Sequence, residues 1–188
     1  FFVTTATITA RTAITATTIP AIAPLDMPIL IHGDIGVEKN QAAKTIHSFS
    51  KRSNEPFINL NCFTISGSTL EIELFGYETS TPTGGYSEIR KGMLELADGG
   101  TLLISDIDQM PISIQRKLHG YLETSQFTRA GGSKMVTSDT RIIATTCTDL
   151  RQLSEEGTFL RELYLSLNTI PLHIPPLSGR PGDIAVIA

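Results

Sequence analysis

The stretch that most constrains this chain is PILIHG, residues 28–33, followed a few residues later by QAAKTIHSF, residues 41–49. A short apolar run closing on glycine, then apolar residues at helical spacing, predicts strand, tight turn and helix, the opening of a βαβ unit. Further apolar runs follow at FINLNC, TLLISDI, RIIATTC and TIPLHI, with helical patterns between them at STLEIELF, PISIQRKLHGYLE, DLRQLSEE and FLRELYLSL. This alternation predicts an α/β fold in three αβα layers, a mostly parallel sheet with helices on both faces. One irregular segment, Gly76 to Gly92, interrupts the rhythm, and such excursions are usually functional or disordered.

Composition narrows the classes. A chain of 188 residues with 40% hydrophobic and 18% charged residues can bury a core and is not wholly disordered. A net charge of -4 argues against gripping nucleic acid through bulk charge. Cys62 and Cys147 are too few and too far apart for a disulfide framework or a zinc site, and they fit a reducing cytoplasm. His32, His47, His119 and His173 are scattered without ligand-like spacing, so no metal site is expected. Residues 1–23 are rich in Thr and Ala and lack a basic n-region, which makes a poor signal peptide, and their threonines exclude a membrane span. They read as a helix or strand leading into the domain. Lys51-Arg52 and Arg116-Lys117 read as solvated charges at helix ends.

After the first strand stands Gly33-Asp34-Ile35-Gly36-Val37-Glu38-Lys39-Asn40. The phosphate-binding loop G-x-x-x-x-G-K-[ST] wraps backbone amides around a β-phosphate and sends a lysine to the β- and γ-oxygens. Gly33 and Lys39 hold the required spacing, but Glu38 occupies the second glycine position. A side chain there meets a backbone conformation that glycine tolerates best, and its carboxylate adds negative charge beside a polyphosphate. Taken alone the match is weak.

In order along the chain come HGDIGVEKNQAAKTIHSFSKRSNEPFINLNC, LEIELFGYE, GMLELADGGTLLISDI, QRKLHGYLE, RIIATTCTDLRQL and LYLSLNTIPLHIPPLSGRPGDI. This series closely resembles the central AAA+ domain of bacterial enhancer-binding proteins, the sigma-54-type activators of the NtrC-like family. The resemblance implies a P-loop NTPase core over residues 27–176 with an altered loop inserted at 76–92. Residues 1–26 then form a lead-in and 177–188 a linker to a helical lid that the chain does not include. Since the sequence runs from Phe1 to Ala188, it reads as a piece of a larger protein.

In that family ATP hydrolysis moves a loop that remodels RNA polymerase, and the resemblance assigns each working part to a position here. Gly33, Asp34, Gly36, Glu38, Lys39 and Asn40 fall on the nucleotide loop. The metal-and-base motif, usually Asp-Glu, reads Ser105-Asp106, and a serine hydroxyl supplies no charge to anchor hydrated magnesium. Asp106 would polarise water from one methylene short of the usual glutamate, with Asn61 as its switch partner. Cys147 replaces the sensor asparagine. Leu160 and Ser166 stand at the two arginine-finger positions, with Arg161 one residue late; loss of a finger costs about 10³–10⁵ in rate in related systems. The polymerase-contacting hexapeptide GAFTGA aligns with Ser80, Thr81, Pro82, Thr83, Gly84 and Gly85, where Pro82 replaces the aromatic and removes a donor. Arg141 and Arg180 stand where the family has arginines and are expected to pair structurally.

The expectation is therefore a regulatory, self-associating AAA+ module of a cytoplasmic bacterial transcription factor, not an enzyme, unable to hydrolyse ATP or to engage sigma-54. The alternative is an active ATP-hydrolysing sigma-54 activator domain that tolerates these substitutions. The partners implied are the housekeeping RNA polymerase holoenzyme, promoter DNA through a separate helix-turn-helix domain, and further copies in a dimer or hexamer, with no membrane. No cofactor is certain; ATP, ADP or cyclic di-GMP are the candidate ligands near Lys39, with magnesium not tightly held. Divergent members of the family respond to cyclic di-GMP and control biofilm genes.

Overall fold

The structure is a computed structural model and describes residues 14–79 and 88–175. Along the chain, α1 (Ile14–Ile22) leads to β1 (Ile29–Gly33), α2 (Lys39–Ser48), β2 (Phe57–Asn61) and α3 (Gly67–Phe75). A two-stranded ribbon, β3 (Tyr77–Glu78) with β4 (Ile89–Arg90), precedes α4 (Met93–Leu96) and β5 (Thr101–Ser105). A single 3₁₀ turn (Ile107–Gln109) opens into α5 (Ile112–Thr124), followed by the hairpin β6 (Gln126–Thr128) and β7 (Met135–Thr137). The chain then runs through β8 (Arg141–Thr146), α6 (Leu150–Glu155), α7 (Arg161–Leu167) and β9 (Ile170–Ile174).

Five of the strands form one all-parallel sheet in the order β2-β5-β8-β1-β9. Because side chains alternate across a strand, successive residues enter different cores. Leu30, Leu60, Leu102, Ile104, Ile142 and Ala144 pack with Leu70, Leu74, Phe75, Leu118, Leu163 and Leu167 on one face. Ile29, Ile31, Leu103, Ile143, Leu172 and Ile174 pack with Ile19, Ala42, Ala43 and Ile46 on the other. The result is the three-layer αβα core with a mostly parallel sheet that the alternation predicts. No helical lid follows β9 among the described residues, and none of their helices is long and apolar enough to cross a membrane.

The lead-in left open as helix or strand is helical over Ile14–Ile22, with Pro20 inside it. Ile19 and Ala23 are buried against the sheet. The guanidinium of Arg141, itself 4% exposed, donates to the carbonyls of Ala23 (2.7 Å), Ile22 (3.3 Å) and Met27 (3.3 Å). Burial pulls the Arg141 pKa below its usual value, and nearby Asp26 opposes that pull. Arg52 is not a solvated charge. It bridges Asp26 at 2.7 Å and Asp139 at 2.8 Å with 11% of its side chain exposed, tying together the segments before β1, after α2 and before β8. Lys117 likewise pairs with Glu71 at 2.8 Å and sits over the Phe75 ring.

The 76–92 segment starts and ends on a fixed stem. A Cβ on Gly92 would lie 2.3 Å from the Gly76 nitrogen, so these two backbones meet where no side chain fits. Arg129, mostly buried, clamps the stem by pairing with Glu78 at 3.1 Å and Glu95 at 2.7 Å. Ser80, Thr81, Pro82, Thr83, Gly84 and Gly85 lie outside the described residues, as do Arg180 and residues 177–188.

Candidate nucleotide site

In an open parallel sheet, ligands bind beyond the carboxyl ends of the strands. Here those ends carry Gly33, Asn61, Ser105 and Thr146. Gly33 leaves β1 under tight constraint, since a Cβ there would meet both the Ile174 carbonyl oxygen and Val37 Cγ2 at 2.8 Å. The chain then loops through Gly36 (φ 85°) into Glu38, the residue capping α2. Glu38 is left-handed, φ 52° and ψ 41°, the conformation that the glycine of the loop pattern supplies without strain. The substitution is therefore accommodated: α2 starts on schedule at Lys39. Lys39 Nζ folds back over the loop, donating to Gly33 O at 2.8 Å and Asp34 O at 2.9 Å. Asp34 lies within the loop and Asn40 in the first turn of α2.

Asn40 faces the end of β5. Ser105 Oγ, 2% exposed, lies 3.1 Å from both Asn40 Oδ1 and Asn59 Oδ1 and donates its proton to either. Asp106 follows in a left-handed conformation, φ 54° and ψ 50°, which lifts its carboxylate out of the strand direction. Asn61 pairs in register with Ser105 across β2 and β5. Its Oδ1 accepts from the Phe63 (2.8 Å) and Thr64 (3.2 Å) amides, and this fixes the amide so that Nδ2 donates to Asp106 Oδ2 at 3.3 Å. The loop, Ser105, Asp106 and Asn61 are thus brought to one edge of the sheet.

Asp108 is a carboxylate that sequence reading missed. Its Oδ1 accepts from Thr146 Oγ1 at 2.7 Å and its Oδ2 from Thr148 Oγ1 at 3.4 Å, so it ties the turn after β5 to the loop after β8. Only its place two residues past Asp106 could have flagged it. Burial, then the Asp106 and Asp108 charges, pushes the Cys62 thiol up to about 12, so it stays protonated. Cys147, half-buried, lies on the β8 side beside Thr148, with Sγ 3.9 Å from Oγ1. Leu160 and Ser166 lie apart from this edge, on α7 and its cap. The Leu160 amide donates to Gln115 Oε1 at 2.6 Å, and Ser166 Oγ donates to Glu162 O at 3.0 Å.

A parallel αβα core whose first strand feeds a lysine-bearing glycine loop, with a carboxylate beyond the end of β5, one strand removed from β1, has the architecture of a P-loop nucleotide-binding core. The chain belongs to the sigma-54 interaction domain family, whose model matches residues 6–173. It is 41% identical over 170 residues to a Nif-specific regulatory protein of Sinorhizobium fredii, covering 90% of this chain and 28% of that protein. To the regulatory protein AtoC of Escherichia coli it is 42% identical over 160 residues, covering 85% and 34% respectively. NtrX of Brucella abortus, solved in complex with ADP, superimposes with a TM-score of 0.84 at 38% identity, covering 92% of this chain and 38% of that one. The chain thus spans about a third of the length of these relatives.

These findings correct one expectation. The chain was expected not to be an enzyme because of Glu38, Ser105, Cys147, Leu160 and Ser166. It instead falls within an ATP-hydrolysing AAA+ family at about 40% identity to regulators of that family. Locally, Glu38 takes the left-handed conformation of the loop position, α2 still begins at Lys39, and Asn61 still reaches Asp106.

Proposed function

We propose that this chain is the ATP-hydrolysing domain of a bacterial sigma-54-dependent transcriptional activator. The observation that carries the reading is the placement of the Lys39 loop beyond the carboxyl end of β1 and of an Asp106 carboxylate, held by Asn61, beyond that of β5, the two sides joined by the Ser105–Asn40 hydrogen bond. NtrX of Brucella abortus has also been solved in complex with ATP, which supports a nucleoside triphosphate as the ligand. Lys39 Nζ exchanges its loop carbonyls for β- and γ-phosphate oxygens, and the loop amides of residues 34–39 receive the rest of the phosphate charge. Asp106 accepts a proton from, and orients, the water that adds to the γ-phosphorus as ADP leaves. Asn61 holds that carboxylate in line.

The residues present fit a magnesium ion that arrives with the nucleotide. With Asp106 committed to the water, the ion would be held chiefly by the substrate's phosphates and by water, with Asn40 and Ser105 as the neutral protein oxygens beside it. When bound, magnesium neutralises charge on the β- and γ-oxygens. Arg161, exposed at the first turn of α7, is the cation this chain offers to a neighbouring subunit.

The partner in this reading is RNA polymerase carrying sigma-54, reached through the 76–92 segment, and it replaces the housekeeping holoenzyme. The domain works in the cytoplasm as an oligomer, and a separate domain of the longer protein binds promoter DNA. The test is magnesium-dependent ATP turnover by the purified chain across a concentration series, with cyclic di-GMP as a control ligand in parallel calorimetry. Turnover should rise with protein concentration and fall at least about 100-fold in Lys39→Ala and in Asp106→Asn. Turnover that is absent at every concentration, or unchanged in Lys39→Ala, overturns the reading.

A further inference from the structure

His32 and His173 are 141 positions apart in sequence and touch in the fold. They are register partners on the neighbouring parallel strands β1 and β9. Side chains at register positions on adjacent strands project to the same face, which brings the rings together. Their Nδ1 atoms are 3.1 Å apart, their centroids 5.3 Å apart and their planes within 22°. Those distances put each Nδ1 close to the line between the rings, so the two nitrogens face one another edge to edge. His173 is exposed and His32 half-buried, so the pair opens to solvent.

Two neutral imidazoles in this arrangement share one proton: one ring donates from Nδ1 and the other accepts. Shifting the donor ring's proton to its own Nε2 gives two lone pairs on facing nitrogens with no proton released. A cation at a metal–nitrogen distance of about 2.05 Å from both atoms, held 3.1 Å apart, would subtend about 98°, close to cis ligation. Bringing both lone pairs onto that point turns each ring by roughly 40°, and the histidine χ2 torsion is broad enough to allow it.

We propose that His32 and His173 form a two-imidazole surface site for a late first-row divalent transition metal, the copper, nickel and zinc class that imidazole ligands favour. Water completes the coordination shell. The site is placed to matter for the nucleotide loop. His32 immediately precedes Gly33, and the residue after His173 is Ile174, whose carbonyl closes on the Gly33 backbone. A bound cation staples the edge strand β9 to β1 at the base of that loop.

The test uses Cu²⁺ and Ni²⁺ alone, without nucleotide, on the full 188-residue chain and on H32Q, H173Q and H119Q. The glutamines keep size and polarity at these positions, and circular dichroism verifies that each variant is folded. One equivalent of Cu²⁺ should bind the parent chain and H119Q, with an electron paramagnetic resonance spectrum showing two nitrogen ligands. In H32Q and in H173Q the affinity should fall at least 10-fold, with one nitrogen coupling lost. Equal Cu²⁺ affinity in parent, H32Q and H173Q, or a two-nitrogen spectrum that survives either change, overturns the proposal. Because the readout is metal binding, it is independent of ATP turnover.

Discussion

Glu38 shows how a single position carries both a cost and a use. Its left-handed backbone (φ 52°) is an unfavourable state for a residue with a Cβ, worth roughly 1 kcal/mol against glycine. Relief of that strain in Glu38→Gly should favour the folded state by about 0.5–1 kcal/mol, set against whatever contacts the side chain gives up, and is read from the urea midpoint at unchanged m-value. The same change removes a carboxylate from the phosphate loop, and ATP affinity in calorimetry should rise with it; unchanged affinity would mean that the Glu38 charge points clear of the nucleotide. The loop was legible in the sequence because Gly33 and Lys39 keep a spacing that follows from phosphate geometry. Asp108 was not legible, because its role depends on Thr146 and Thr148 arriving from another strand.

At the scale of elements, α1 is a poor helix by local propensity, with Thr and Ile throughout and Pro20 near its end. It persists because Ile19 and Ala23 are buried and because Arg141 satisfies carbonyls that its last turn leaves without partners. Arg141→Met keeps much of the side-chain volume but leaves those buried carbonyls unpaired. The expected loss is about 1–3 kcal/mol of global stability by chemical denaturation, with hydrogen exchange rising first over Ile14–Ile22. A loss spread evenly over every amide would instead make α1 an inseparable part of the core. Local pattern could not decide between helix and strand there, since the deciding contact is to a residue over a hundred positions away. By contrast, β1, β5 and β8 could be read directly, because strands buried on both faces are continuous apolar runs bounded by turn residues. The pairing of Arg52 with Asp26 and Asp139 was illegible for the same reason as α1: a charged pair in sequence says nothing of what distant carboxylates meet it.

Across the whole molecule, acid sensitivity should carry one early component from His47. Its ring, on α2, is buried with Nδ1 3.0 Å from Thr101 Oγ1 on β5. Burial holds its pKa below 6.5, a backbone hydrogen bond at Glu55 opposing and the Arg141 charge adding. The unfolded chain thus takes up a proton near pH 6.5 that the folded chain refuses, so stability is full above that pH and declines as pH falls through 6.5 toward the folded value. In His47→Gln the slope of unfolding free energy between pH 7.5 and pH 5.5, measured by urea titration, should flatten. Asp26, held below its usual 3.8 first by the Arg52 hydrogen bond, contributes stability that is lost only under stronger acid, outside that interval. The strand order has a further consequence, for synthesis on the ribosome. β1 sits between β8 and β9, both of which are made last. After Gly33 emerges, about 110 residues must follow before β8 is complete, a wait of roughly 5–20 s at ordinary elongation rates. Throughout that interval Ile29, Leu30 and Ile31 have no strand to pair with, so the nascent chain offers chaperones an apolar segment that the finished protein hides completely.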